Sequence, residues 1–183
     1  MVHNDIEYRK ANCSDARKLA ILYKQVYIQT YGTEGVSDEF ADFITPLFSP
    51  ERIVNTITDD PDQIIVAEYK GNLVGVAEIG NNKLAPIGAL VAPELNKLYI
   101  LEWFCGRGIG YRLLREVEEV IVQRGHTHMW LWVLASNQRA VEFYERNEFE
   151  GIGFASFQMA KNVYENLVMV KQLRDDSQPG HNF

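Results

Sequence analysis

The stretch Leu98-Tyr99-Ile100-Leu101-Glu102-Trp103-Phe104-Cys105-Gly106-Arg107-Gly108-Ile109-Gly110 constrains this chain more than any other. An apolar run of strand character enters a loop with glycines at alternate positions. From Gly110 to Gln123, apolar residues then recur at helical spacing (Leu113, Leu114, Val117, Val120, Ile121). Such a strand–loop–helix unit brings loop N–H groups beside the unpaired N–H groups and positive dipole end of a helix. Glycine lets them approach an anion closely. A phosphate or diphosphate is the expected ligand. Two other nucleotide patterns fail on spacing. Tyr111 and Leu113 fall where a dinucleotide fingerprint needs its third glycine, and no Gly-Lys-Ser/Thr occurs for a Walker loop.

The rest of the chain reads as a mixed α/β layout. Ile6 to Arg9 alternates like a strand, and Asn12 or Ser14 caps a helix with a stripe through Ala16, Leu19, Ala20, Leu22, Tyr23, Val26 and Tyr27. Gly32 to Phe48 reads as irregular, and Ser49-Pro50-Glu51 opens a second helix. Strands follow at Ile64–Ala67, Leu73–Ile79 (after a turn at Lys70-Gly71-Asn72), Leu95–Trp103 and Met129–Leu134, with a helix at Asn137–Arg146. Two strands, near Gly151–Met159 and Asn166–Val170, close the order. The expectation is one sheet between helices, in a single domain over residues 1–174 with a flexible tail at 175–183.

Composition narrows the function. A net charge of −7 disfavours nucleic acid and suits a cationic small molecule. No apolar run reaches the ~20 residues of a membrane span, and the first residues lack a signal-peptide pattern, which makes the cytoplasm the expected location. Cys13 and Cys105 cannot frame a disulfide scaffold, and His126 and His128 lack companions for a metal site. No metal is expected.

Two segments resemble the GNAT superfamily, the GCN5-related N-acetyltransferases. Cys105-Gly106-Arg107-Gly108-Ile109-Gly110 overlays the pattern Arg/Gln-x-x-Gly-x-Gly/Ala, with Cys105 in place of the Arg or Gln. Downstream, Asn137-Gln138-Arg139-Ala140-Val141-Glu142-Phe143-Tyr144-Glu145-Arg146-Asn147-Glu148-Phe149 resembles Asn-x-x-Ala-x-x-Phe-Tyr-x-x-x-Gly-Phe, with Glu148 in place of glycine. The resemblance implies a mostly antiparallel sheet of about seven strands flanked by about four helices. It also implies acetyl-CoA as acyl donor. Amides of Gly106, Arg107, Gly108, Ile109, Gly110 and Tyr111 would hold the diphosphate, and the strand edge at Ile100 and Leu101, with the Asn137 side chain, the pantetheine arm.

Acetylating an amine needs a free nitrogen, a polarised thioester carbonyl and a proton for the departing thiolate. By resemblance Tyr144 supplies that proton, and the Leu101 N–H stabilises the oxyanion. The resemblance implies Glu94, eleven residues before Cys105 like the glutamate base of the histone-acetylating branch, as first candidate for general base, with Glu78 as its rival and each otherwise a strand carboxylate. The acceptor is expected to meet Glu34, Asp38 and Glu39, in a segment where carboxylates and phenylalanines suit an organic cation. The chain looks nearest to bacterial spermidine/spermine N-acetyltransferases, which implies a polyamine acceptor, with amino acids, antibiotics and protein N-termini as alternatives. A non-catalytic acyl-CoA-binding module is the competing reading. Exposed strand edges leave homodimer formation open.

Overall fold

Alternating and apolar runs form seven strands in one sheet, ordered β1-β2-β3-β4-β5-β7-β6. The computed structural model describes residues 5–159 and 162–173. The strands are β1 (Ile6–Lys10), β2 (Ile64–Tyr69), β3 (Asn72–Leu84), β4 (Val91–Ile100), β5 (His128–Leu134), β6 (Glu150–Met159) and β7 (Asn162–Gln172). Every neighbouring pair is antiparallel except β4 and β5, which run parallel and register only at Glu94 opposite Trp130. The mixed, mostly antiparallel sheet expected from the sequence is therefore the one observed.

Helices cover both faces. One face carries α1 (Ala16–Tyr31), α2 (Asp38–Leu47) and α3 (Pro50–Asp59), whose Leu19, Tyr23, Phe40, Ile44, Ile53 and Ile57 pack on Ile64, Val66 and Val76. On the other, α4 (Ile109–Gln123) and α5 (Gln138–Arg146) press Leu113, Leu114, Val117, Ile121 and Tyr144 against Ala77, Leu95, Met129 and Leu131. Caps fix several starts. Ser49 accepts the Arg52 amide with Pro50 in the first turn, and Asn137 accepts the Ala140 amide.

Two local expectations change. The segment read as irregular contains α2, which Ser37 caps by accepting the Phe40 amide, with Asp38 and Glu39 complementing the dipole in the first turn. The strand read as Leu95–Trp103 lies earlier, at Val91–Ile100, and a short 3-10 turn over Glu102–Phe104 follows it. Glu148, in the glycine position of the second motif, takes φ +68, so the left-handed turn is kept despite its side chain. The expected tail at 175–183 lies outside the described residues. No helix among the described residues is long and apolar enough to cross a membrane.

The β4–β5 splay has a local cause. Glu78 pairs with Lys97 and Ile79 with Leu95, leaving Asn96 as an extra residue in β4. A bulge bends its strand. This one follows the last point of contact with β5, and the Asn96 side chain lies where a Cβ on Gly80 would sit, 2.5 Å from Asn96 Oδ1.

Candidate active site

Beyond Glu94 and Trp130 the two parallel strands diverge, and a cavity of about 690 Å³ opens between them. Its walls are β4 from Leu95 to Ile100, β5 at Trp132 to Leu134, the glycine turn, the start of α5 and the second half of α1.

The glycine turn forms the end nearest α4. Gly106 and Gly108 both have φ +74, a region that opposes a Cβ, whereas a Cβ on Gly110 would meet Phe143 of α5 at an ordinary 3.6 Å. The amides of Gly108, Ile109, Gly110 and Tyr111 donate to no acceptor on another described residue. These are the first donors of a helix, gathered at the cavity, and they fit a diphosphate. Gly106, Gly108, Ile109, Gly110 and Tyr111 line it, whereas Arg107 turns away and lies over the Phe104 ring at 5.2 Å. Cys105 also lines it. Burial pushes its thiol above the ordinary range, with Arg139 pulling the other way.

Strand β4 offers the next donors. The Leu101 N–H, expected to face the thioester, instead donates to the Val74 carbonyl at 3.0 Å. Antiparallel pairing alternates the direction of successive amides, so Leu98 and Ile100 turn their N–H and C=O toward the splay. The Cys105 thiol donates to the Ile100 carbonyl at 3.8 Å, and the Leu98 and Ile100 N–H groups face an extended, amide-bearing chain such as pantetheine. Asn137, at the opposite wall, lines the cavity and uses its side-chain oxygen on the α5 cap.

Tyr144 reaches the same space from α5. It is 9% exposed, packed between Phe143 and Phe149, and lines the cavity. Burial, then the neighbouring Tyr31, hold its hydroxyl pKa above the ordinary tyrosine value. Such a hydroxyl stays protonated and can donate to an anion forming beside it.

The two glutamates considered as bases do not line the cavity. Glu94 is buried in an ion pair with Lys83, whose ammonium lies over the Trp130 ring. Glu78 accepts Tyr23 Oη at 2.9 Å, Lys97 Nζ at 2.6 Å and Asn96 Nδ2 at 3.3 Å. Glu34, Asp38 and Glu39 also stand outside the wall, although Tyr31 and Thr33, immediately before them, belong to it. Tyr31, Lys97, Tyr99, Trp132 and Arg139 line the cavity, although none is among the site residues expected from sequence. Tyr31 extends the α1 stripe one step past Tyr27, and that spacing was the available signal. Among the described residues, no group of three His, Cys, Asp or Glu side chains is placed to hold a metal ion.

Residues 22–149, the turn and the splay included, match the acetyltransferase (GNAT) family. The chain belongs to that family. This GNAT protein is an acetyl-CoA-dependent N-acetyltransferase. An uncharacterised N-acetyltransferase of Mycobacterium tuberculosis is 27% identical over 160 residues, 87% of this chain and 99% of that relative. The spermidine N(1)-acetyltransferase of Thermoplasma acidophilum is 25% identical over 145 residues, 79% of this chain and 88% of the relative. Among solved structures, the PaiA N-acetyltransferase of Thermoplasma acidophilum in complex with coenzyme A shares the GNAT fold. Its TM-score is 0.73 at 22% identity, over 91% of this chain and 98% of that one.

Proposed function

We propose that residues 1–174 work as one acetyltransferase unit, which transfers the acetyl group to a primary amine of a small molecule by direct attack in a ternary complex, with a polyamine such as spermidine as the leading acceptor. The acyl donor lies along the open β4 edge, its diphosphate on the amides of Gly106–Tyr111. The Leu98 and Ile100 amides, the N–H groups β4 turns toward the splay, polarise the thioester carbonyl. The amine nitrogen forms the C–N bond, the tetrahedral intermediate collapses with loss of the C–S bond, and Tyr144 gives its proton to the departing sulfur. The nitrogen releases its extra proton to solvent, and Tyr144 takes one back from solvent, which restores its hydroxyl for the next turnover.

Glu78 and Glu94 stand outside the wall, each engaged with a lysine, and are not assigned the base role. The amine reacts as its free base, and an aliphatic ammonium near pKa 10.4 then makes the rate climb with pH through the neutral range.

One observation carries the polyamine reading. The wall at Tyr31 and Thr33 leads directly to the acids Glu34, Asp38 and Glu39. A long cation would put its reacting amine beside Tyr144 and a distal ammonium at that rim. The similarity to a spermidine N(1)-acetyltransferase supports the same choice. Turnover with acetyl-CoA, followed by thiol release across spermidine, spermine, amino acids, aminoglycosides and peptide N-termini, tests it. Highest kcat/KM on a polyamine is expected. Preference for an amine with no second cationic centre would discard the polyamine and keep the transferase.

A further inference from the structure

We infer that Arg139 is a side-chain ligand of the coenzyme A diphosphate, reaching the glycine turn from the neighbouring helix; this rests on the acetyl-CoA-dependent reading of the site.

The turn is rich in N–H donors, but its own cation, Arg107, turns away over the Phe104 ring and does not line the cavity. Cys105 is there as a thiol, and Glu102, at the start of the preceding 3-10 turn, brings a carboxylate into the same wall. A diphosphate would meet dipoles and a like charge. Among the described residues, two basic side chains line the cavity, Lys97 and Arg139. Lys97 serves the other side of the sheet, held at 2.6 Å by Glu78 and lying over the Tyr23 ring. Arg139 is the cation at the donor end.

Its position has no stabilising role in its own helix. Arg139 is the second residue of α5, and a positive charge in the first turn opposes the helix dipole. It is held across the splay instead. Nη1 donates to both Glu102 oxygens, at 2.9 and 3.2 Å, which brings the guanidinium beside Cys105. A guanidinium has five N–H donors in a planar fork suited to phosphate, so the Glu102 contact leaves donors for a second anion. With its side chain 61% exposed, Arg139 can turn toward the ligand without repacking the core. Glu102 sets where the cation waits, and the amides of Gly108–Tyr111 complete the anion site.

The test is calorimetric binding of CoA and dephospho-CoA to the wild type and Arg139→Gln, with KM and kcat measured for acetyl-CoA and for S-acetylpantetheine, which lacks the diphosphate. Loss of one exposed charge-assisted contact should weaken both CoA and dephospho-CoA by about tenfold. KM for acetyl-CoA should rise in proportion while kcat and all S-acetylpantetheine parameters hold. The wild type should also lose CoA affinity more steeply with added salt than the variant. Unchanged CoA affinity in Arg139→Gln overturns the assignment. So does a loss seen with CoA but not dephospho-CoA, which would move the contact to the ribose phosphate, or an equal loss with S-acetylpantetheine. A wild type that binds no CoA at all would bring down the acetyl-CoA reading itself, an outcome distinct from these.

Discussion

Lys97 Nζ lies 2.6 Å from Glu78 Oε1 across the β3–β4 pair, so a lysine in the cavity wall is neutralised by a carboxylate behind it. Tyr23 and Asn96 donate to the same carboxylate. This saturation makes Glu78 a structural counter-charge for Lys97.

Glu78→Gln should accordingly cost stability, on the order of 2–3 kcal/mol, because it strands a largely buried ammonium. Urea unfolding measures this. At permissive temperature the remaining folded enzyme should keep kcat within a few-fold. A general base would behave oppositely, with kcat down about 10²–10⁴-fold at unchanged stability.

Tyr144→Phe should lower kcat by about 10–100-fold and leave calorimetric CoA affinity intact, since only the proton donor is removed. Burial raises the pKa of this hydroxyl, and an acid works below its pKa, so its loss should set no descending limb of kcat below about pH 10. A limb near neutral pH that vanishes in the variant would contradict this.

Neutralising the rim with Glu34→Gln, Asp38→Asn and Glu39→Gln together should raise KM for spermidine several-fold, while KM for acetyl-CoA holds. Added salt should shrink the difference, as screening does for exposed charges. Identical spermidine kinetics in the triple variant would remove these acids from acceptor binding.

Asp15 gives a pH signature away from the cavity. Burial alone would raise its pKa, but Arg9 at 2.7 Å and the Asn12 amide overcome this and hold it at about 2, below its ordinary 3.8. A lowered carboxyl pKa stabilises the fold above the unfolded value, and that stability is lost as pH falls through 3.8 toward 2. Asp15→Asn should therefore cost about 2 kcal/mol at neutral pH and flatten the acid limb of the stability curve.

What the sequence determined by itself was local. Two φ values of +74 at Gly106 and Gly108, the Ser49-Pro50 and Asn137 caps, and the apolar period of α4 each depend on residues a few positions apart. The start of α2 is equally local, with Ser37 followed by Asp38 and Glu39, although an acid-rich segment after Gly32 is also the composition of a solvated loop. Tertiary structure decided which way groups face. A strand has two sides and two edges, and register selects among them: pairing with Val74 turns the Leu101 amide inward and frees those of Leu98 and Ile100. The same holds for carboxylates. Glu78 and Glu94 have reactive side chains in sequence, yet Lys97 and Lys83 arrive from neighbouring strands to engage them. Arg139 and Tyr31 join the cavity only because α5 and α1 are packed on opposite faces of a sheet that splits between them. Spacing along a chain records the period of its own helix or strand, whereas a site between elements depends on register and packing across the sheet.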